Sequence, residues 1–375
     1  MPKLFMAVRL FSGKAVGAMN QNHIQFRVGD WVEVKRKEEI LRTLDKAGRL
    51  EGVPFMPQMF QYSGQRFQIY KRAHKTCDTV NPIRSLRIPD AVHLNLRCDG
   101  EAYGGCQSGC LIFWKTAWLK PVVKMREGGE RSPAHERPEA DDVPNSLSCT
   151  VADVWAGTRC QDQSANDGPR YVCQATQVPY FGTVLPWWNF RQYLEDYTSH
   201  NATLPELLRG GGYALYASAI KAGVGLGAPL RWLYDKIQSI LGGTPFPDKT
   251  GTIPVGAPTP TEVLNLQPGE IVRVKSHEKI LETLNTECKN RGLRFDAEMT
   301  MYCGRIHQVR ARISKYIDEK TGRLLSLNTA AVILEGAACQ GRYSSCRMFC
   351  PRSIYAWWRE IWLERVADTD KNIAK

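Results

Sequence analysis

The sequence predicts an α+β fold. Two related β-rich modules, each with a cysteine-rich segment and a closing helix, flank a mainly helical middle region. Three observations predict it. The stretch GDWVEVKRKEEILRTLD from Gly29 reappears as GEIVRVKSHEKILETLN from Gly269. Three cysteines precede a tryptophan pair twice, CDGEAYGGCQSGC before WKTAWL and CQGRYSSCRMFC before WREIWL. Between the copies, residues 203–241 carry apolar residues at helical spacing, interrupted by glycines.

The self-alignment holds at an offset of 240 residues, through Tyr62/Tyr302, Gly64/Gly304, Gln68/Gln308, Arg72/Arg312, Lys75/Lys315 and Asp78/Asp318 to Ala91/Ala331. Cys106 then pairs with Cys346 and Cys110 with Cys350, and Cys98 pairs with Cys339 after a one-residue slip. Four more residues enter the second copy before its tryptophans, about one helical turn. So long a period implies a duplicated domain and not a short-period solenoid. The expected organisation is a tail over 1–25, a first module over 26–125, and a polar, Gly/Pro-rich linker over 126–147. A cysteine-containing, helical middle domain over 148–241, a Pro/Gly linker over 242–262 and a second module over 263–367 follow.

Within each copy, GDWVEV and GEIVRV alternate apolar and polar residues after a glycine, which predicts a strand leaving a turn. KEEILRTLD and HEKILETLN space Ile and Leu as on a short helix. RFQIYKRA and HQVRARIS read as strands, as do DAVHLNL and AAVILEG. The cysteine segment comes next, then the tryptophans, whose i, i+4 spacing places Trp114 with Trp118, and Trp358 with Trp362, on one helical face. The opening strand, a glycine and an acidic residue followed by V-x-V, resembles that of SH3-like or KOW-type small β-barrels. The resemblance covers about ten residues of each copy and implies a small barrel for each module, a scaffold that hosts many functions.

The chain of 375 residues has ample length for a real core, and its net charge of +12 favours polyanionic partners. The basic residues are spread, as in VKRKEEILR and YKRAHK, and form no single patch. Twelve cysteines are too few for a disulfide scaffold at this length, and no secretory signal is visible. A reducing, cytoplasmic setting is therefore expected, in which clustered cysteines read first as metal ligands or redox groups. Gly210–Leu230 carries one charge, Lys221, and reads as part of a buried helical hairpin, with a membrane-surface segment as the alternative.

The first copy offers His74, Cys77, Cys98, Cys106 and Cys110, and the second offers Cys303, Cys339, Cys346 and Cys350. Each thus has three repeated thiols and a fourth at a different place. Structural zinc wants four donors in a tetrahedron, with sulfur at about 2.3 Å. An iron–sulfur cluster also wants four thiolates. Zinc stands ahead of iron–sulfur. A Cys-x3-Cys pair at a helix start would put both sulfurs on one side, near N–H groups that favour thiolates, and the glycines of YGGCQSGC would let backbone approach them. Cys149, Cys160 and Cys173 read first as core cysteines, with a third site that Cys288 would complete as the alternative.

No Walker loop, nucleophile elbow, H-E-x-x-H or dinucleotide fingerprint is present in the sequence. The leading expectation is therefore a metal-binding, duplicated-module binding or scaffold protein with a basic, aromatic surface. Its partner would be a protein or nucleic acid. An iron–sulfur redox or biosynthetic enzyme is the first alternative, its small-molecule substrate unnamed by the sequence. A peripheral accessory protein on an anionic membrane surface is the second. The tryptophan pairs read as core first, and otherwise as a stacking platform beside Lys115, Lys120, Arg352 and Arg359.

Overall fold

The computed structural model describes residues 25–81, 84–122, 149–160, 168–222, 225, 227–344 and 346–366. The linker expected over 126–147, and all but Gln25 of the expected tail, lie outside the described residues. The described chain is a mixed α+β structure of several small antiparallel sheets with short helices between them.

The alternating stretches form strands as their pattern dictates. In Trp31–Val34, Val32 and Val34 are buried and Glu33 faces outward; in Ile271–Val274, Val272 and Val274 are buried. Val32 lies opposite Phe67 on one side and Pro121 on the other. Val272 lies opposite His307 and Arg365. The short helices Lys37–Leu41 and His277–Leu281 follow, each burying one isoleucine, Ile40 or Ile280. The C-terminal half builds longer strands, Ile306–Ile317 and Leu324–Ala338, where the N-terminal half has the separate pieces Arg66–Gln68, Lys71–Arg72, Lys75–Cys77 and Ala91–His93.

The closing helices are not formed. Trp114–Lys115 is a strand pairing with Ala91–His93, Thr116–Trp118 is one 3₁₀ turn, and Leu119–Pro121 is a strand again. Tyr355–Arg359, Glu360–Trp362 and Leu363–Arg365 repeat the arrangement. Two tryptophans four apart fit a helix, but they equally fit a strand that leads into a tight turn and returns. All four side chains, Trp114, Trp118, Trp358 and Trp362, are fully buried, which removes the stacking platform. Phe55 meets Trp114 and Trp118 edge-on, and Phe295 does the same to Trp358 and Trp362. Trp118 Nε1–H donates to Thr43 Oγ1 at 3.1 Å and Trp362 Nε1–H to Thr283 Oγ1 at 2.9 Å. Two apolar cores result, one around each tryptophan pair.

The four extra residues of the C-terminal half therefore lengthen no helix. Cys98 N–H donates to Cys110 O (2.9 Å) and Cys339 N–H to Ile354 O (2.7 Å); Cys106 N–H donates to Tyr103 O and Cys350 N–H to Arg347 O, both at 3.2 Å. Cys350 thus occupies the place of Cys106, and Ile354 that of Cys110, which corrects the sequence pairing. One addition precedes Cys339, and the other three fall in the loop between Cys339 and Cys350. Glycine holds that loop in both halves. At Gly100 (φ 78°) a Cβ would lie 1.9 Å from Cys106 O, and at Gly341 (φ 63°) 2.7 Å from Cys350 N.

Helices Leu204–Lys221 and Gly227–Leu241 form the predicted hairpin, but only the first is buried in part, through Gly210, Ala217 and Ile220. The second helix has no buried residue, and Trp232, Leu233, Ile237, Ile240 and Leu241 face solvent. Its half-buried Tyr234, Asp235 and Gln238 face inward, so the amphipathic pattern runs inside out. No described helix is long and apolar enough to cross a membrane.

Three histidines are buried as neutral rings. Burial lowers His74 and His93 to about 3 and His277 to about 4. His93 Nδ1–H donates to Ile112 O at 2.8 Å, and His277 stacks on Phe295. A group depressed on folding contributes stability above its unfolded value, near 6.5, that is lost as pH falls toward the folded value. Stability is expected to fall from pH 7 to 4, each histidine adding about 1.4 kcal/mol per pH unit. Asp196, raised by burial to about 6, works the other way, its contribution lost as pH rises through 6. Denaturant midpoints at successive pH values check the slope, and His93→Asn should flatten it by one proton.

Candidate functional site

The cysteine segments meet across the two halves. Gln107 N–H donates to Lys315 O (3.0 Å), and Gln107 Oε1 accepts from Ser314 N–H (2.7 Å) and Lys315 N–H (3.0 Å). Cys106 Sγ accepts from Ile317 N–H at 3.4 Å. The reverse contact is Cys77 N–H donating to Cys350 Sγ at 3.1 Å. Each half thus seats its cysteine loop on a strand of the other. Around the second contact, Arg352 forms a two-pronged ion pair with Glu319 at 2.8 and 2.9 Å and donates to Cys77 O at 3.3 Å. Ser85 Oγ donates to Cys346 O at 2.9 Å.

The structure regroups the predicted ligands. Cys98, Cys106 and Cys110 line a cavity of about 30 Å³ with Cys173 of the middle region, room for about one water. Burial pushes Cys98 up to about 12 and Cys173 up to about 11, and raises Cys110 as well. Cys77 leaves the N-terminal set for Cys339 and Cys350, with which it lines a second cavity of about 280 Å³. Cys303, pushed up to about 12 by burial, lines neither cavity. Neither Cys-x3-Cys pair begins a helix. Cys173 is buried in the N-terminal core, as read, and also lines the cavity of Cys98, Cys106 and Cys110, while Cys288 donates to Lys249 O at 3.3 Å.

His74 faces Asp196, not the sulfurs. Its Nε2 lies 3.3 Å from Asp196 Oδ1 and from Gln192 O. Lys75 Nζ donates to Asp196 Oδ2 at 2.6 Å, and all three side chains are buried. Lys75 Nζ also lies 4.9 Å from the Tyr193 ring and 5.9 Å from that of Phe349. Among the described residues, no three His, Cys, Asp or Glu side chains converge as a group that could hold a metal ion.

A larger opening lies elsewhere. A cleft of about 610 Å³ lies between the helical hairpin and both halves of the chain. The N-terminal half gives Tyr70 and Lys71, the hairpin Glu206, Arg209, Tyr213, Tyr216, Tyr234 and Gln238, and the C-terminal half Cys339, Arg342, Tyr343, Phe349 and Cys350. Gly210 permits this fit, since a Cβ there would lie 2.5 Å from the Phe349 ring. The tyrosines pack edge to face, Tyr213 against Tyr343 at 5.1 Å and against Tyr234 at 6.4 Å. Burial pushes Tyr234 up to about 12, so the ring stays neutral. Lys71, lowered by burial, donates to Asn201 O at 2.8 Å. Asn201 clips the middle region to the N-terminal half, its amide exchanging two 2.8 Å bonds with the Arg72 backbone.

No protein-family model and no curated protein matches the chain. The cleft was not legible in the sequence, because its walls come from three distant segments. The one available signal was the tyrosine recurrence in GGGYALYAS, whose i, i+3 spacing puts Tyr213 and Tyr216 on one side of the helix.

Proposed function

We propose that the chain is a ligand-binding protein built on a duplicated module, and that its ligand is a flat, negatively charged organic molecule held in the cleft. The supporting observation is the lining itself. Tyrosine and phenylalanine faces stand beside three cations, Lys71, Arg209 and Arg342, against one carboxylate, Glu206. Glu206 accepts from the N–H and hydroxyl of Thr203, both at 2.9 Å, and its other oxygen lies 3.8 Å from Arg342, so the lining keeps a net excess of positive charge. The volume of about 610 Å³ suits a small organic ligand, for which about 300–1,000 Å³ is usual. Aromatic walls favour a planar body, and guanidinium groups favour carboxylate, sulfonate or phosphate.

The duplication gives this site its frame. Matching elements at offsets of 240 and then 244 residues supply two modules, locked by the reciprocal cysteine-loop contacts, and the hairpin closes the cleft. The basic, aromatic surface expected from the sequence is, in this reading, a recess.

The test is calorimetry with paired probes: 2-naphthalenesulfonate against 2-naphthol, and adenosine monophosphate against adenosine. The anionic member of at least one pair should bind about tenfold or more tighter than its neutral analogue, ~1.4 kcal/mol. Arg209→Ala/Arg342→Ala should remove that difference, and Tyr213→Ala should weaken both members of the pair. Equal binding of charged and neutral members, or no binding at all, would remove the proposal.

A further inference from the structure

The cysteine contact between the halves occurs in two forms, and the difference is informative. In one, Ile317 N–H donates to Cys106 Sγ at 3.4 Å. In the other, Cys77 N–H donates to Cys350 Sγ at 3.1 Å, and both cysteines line the 280 Å³ cavity. Ile317 stands 240 residues after Cys77, so an isoleucine serves the same strand position where no second thiol is present. Packing alone therefore does not require sulfur at residue 77.

Access differs between the partners. Cys350 lines both the 610 Å³ cleft and the 280 Å³ cavity, whereas Cys77 lines only the smaller one. The Cys77 N–H donated to Cys350 Sγ at 3.1 Å is a contact of the kind that favours the reactive thiolate. Lys75 lies on the same strand as Cys77, its side chain buried beside Phe349, the neighbour of Cys350. A small oxidant in the cleft meets Cys350, which shares the 280 Å³ cavity with Cys77.

We propose that Cys77 and Cys350 are a redox-active dithiol that hydrogen peroxide closes into a disulfide joining the two modules. The Cys350 thiolate attacks one peroxide oxygen, the O–O bond breaks, and hydroxide leaves and takes up a proton. Cys350 is then a sulfenic acid. The Cys77 sulfur attacks the Cys350 sulfur, the S–S bond forms and the S–O bond breaks. The departing hydroxide leaves as water with the Cys77 proton. Two thiols are oxidised by two electrons, and one peroxide is reduced to two waters. The bond spans 273 positions of sequence, so it constrains a long loop of the unfolded chain. Access to Cys350 is all that this inference takes from the cleft, and a failure of the ligand test leaves it standing.

The full-length protein, reduced and freed of reductant, is treated with one equivalent of hydrogen peroxide and mapped by peptide mass spectrometry. The expected first product is a linked pair of peptides carrying Cys77 and Cys350, two hydrogens lighter than the sum, with the free-thiol count down by two. In Cys77→Ile, which copies the residue at the equivalent strand position, dimedone should trap a sulfenic acid on Cys350. In Cys350→Ser, Cys77 should take no dimedone. The proposal is overturned if a link among Cys98, Cys106, Cys110 and Cys173 forms first, or if Cys77 and Cys350 stay reduced in the folded protein. It is also overturned if metal analysis of the same sample finds stoichiometric zinc whose removal is needed before Cys350 reacts.

Discussion

Replacing Trp118 or Trp362 by alanine is expected to cost about 3–5 kcal/mol of unfolding free energy in either case. Both side chains are fully buried at the centre of their cores and carry an aromatic neighbour edge-on, Phe55 or Phe295. Truncation leaves a cavity that the surrounding 3₁₀ turn and strands cannot fill without breaking their pairing. It also removes the indole donor of Thr43 or Thr283, whose hydroxyl keeps its own bond to Ile40 O or Ile280 O. Thr43→Val and Thr283→Val remove the indole bond together with the hydroxyl's bond to Ile40 O or Ile280 O, at about 1 kcal/mol per bond. The form of the transition carries more information than its midpoint. The reciprocal contacts, Gln107 with Ser314 and Lys315 and Cys77 with Cys350, tie each cysteine loop to the opposite half. Both alanine variants should therefore shift one shared denaturant transition. Two separated transitions, with only one moved by each variant, would show modules that unfold independently.

What the sequence revealed and what it hid divide along the range of the interactions. The strands Trp31–Val34 and Ile271–Val274 were legible because alternation is local, and the helices Lys37–Leu41 and His277–Leu281 because their isoleucines recur at short spacing. The importance of the cysteine segments was legible from their recurrence. Their grouping was not. Cys77 finds its sulfur neighbour 273 positions away, and Cys173 joins the N-terminal set from the middle region, so no spacing rule reaches either. The position of the four added residues was hidden as well, since Cys106 aligns by eye with Cys346 but takes the backbone contacts of Cys350. The closing helices failed because a two-point period cannot separate a helix from a strand and turn. In Gly227–Leu241 the period was correct and the orientation reversed: its inward face is the polar one, because Asp235 accepts from Phe246 N–H at 2.7 Å and from Lys249 Nζ at 2.6 Å.

The buried Lys75–Asp196 pair yields the second large effect. Asp196→Ala should destabilise the protein by about 3–5 kcal/mol, the usual cost of leaving a buried charge without its partner. Lys75 would keep only Gln192 Oε1 at 3.4 Å and the faces of Tyr193 and Phe349. Burial already lowers the lysine and raises the aspartate to about 6, so the contact at 2.6 Å is what sustains both charges. The two single variants should differ. Lys75→Met leaves an acid that can take up a proton near neutral pH and fall silent, so it should cost less than Asp196→Ala, and less still at pH 5. The double replacement Lys75→Met/Asp196→Leu should regain most of the loss, because an apolar pair of similar volume carries no desolvation penalty. Urea midpoints for the four proteins at pH 7 and pH 5 complete the cycle. The pair also links the strand Lys75–Cys77 to the helix Arg191–Thr198 beneath Phe349, which lines the cleft. Asp196→Ala should therefore weaken binding of the anionic probes even where the protein remains folded, and the double variant should restore it. Restored stability without restored binding would mean that charge at Lys75, and not the packing under Phe349, shapes the cleft.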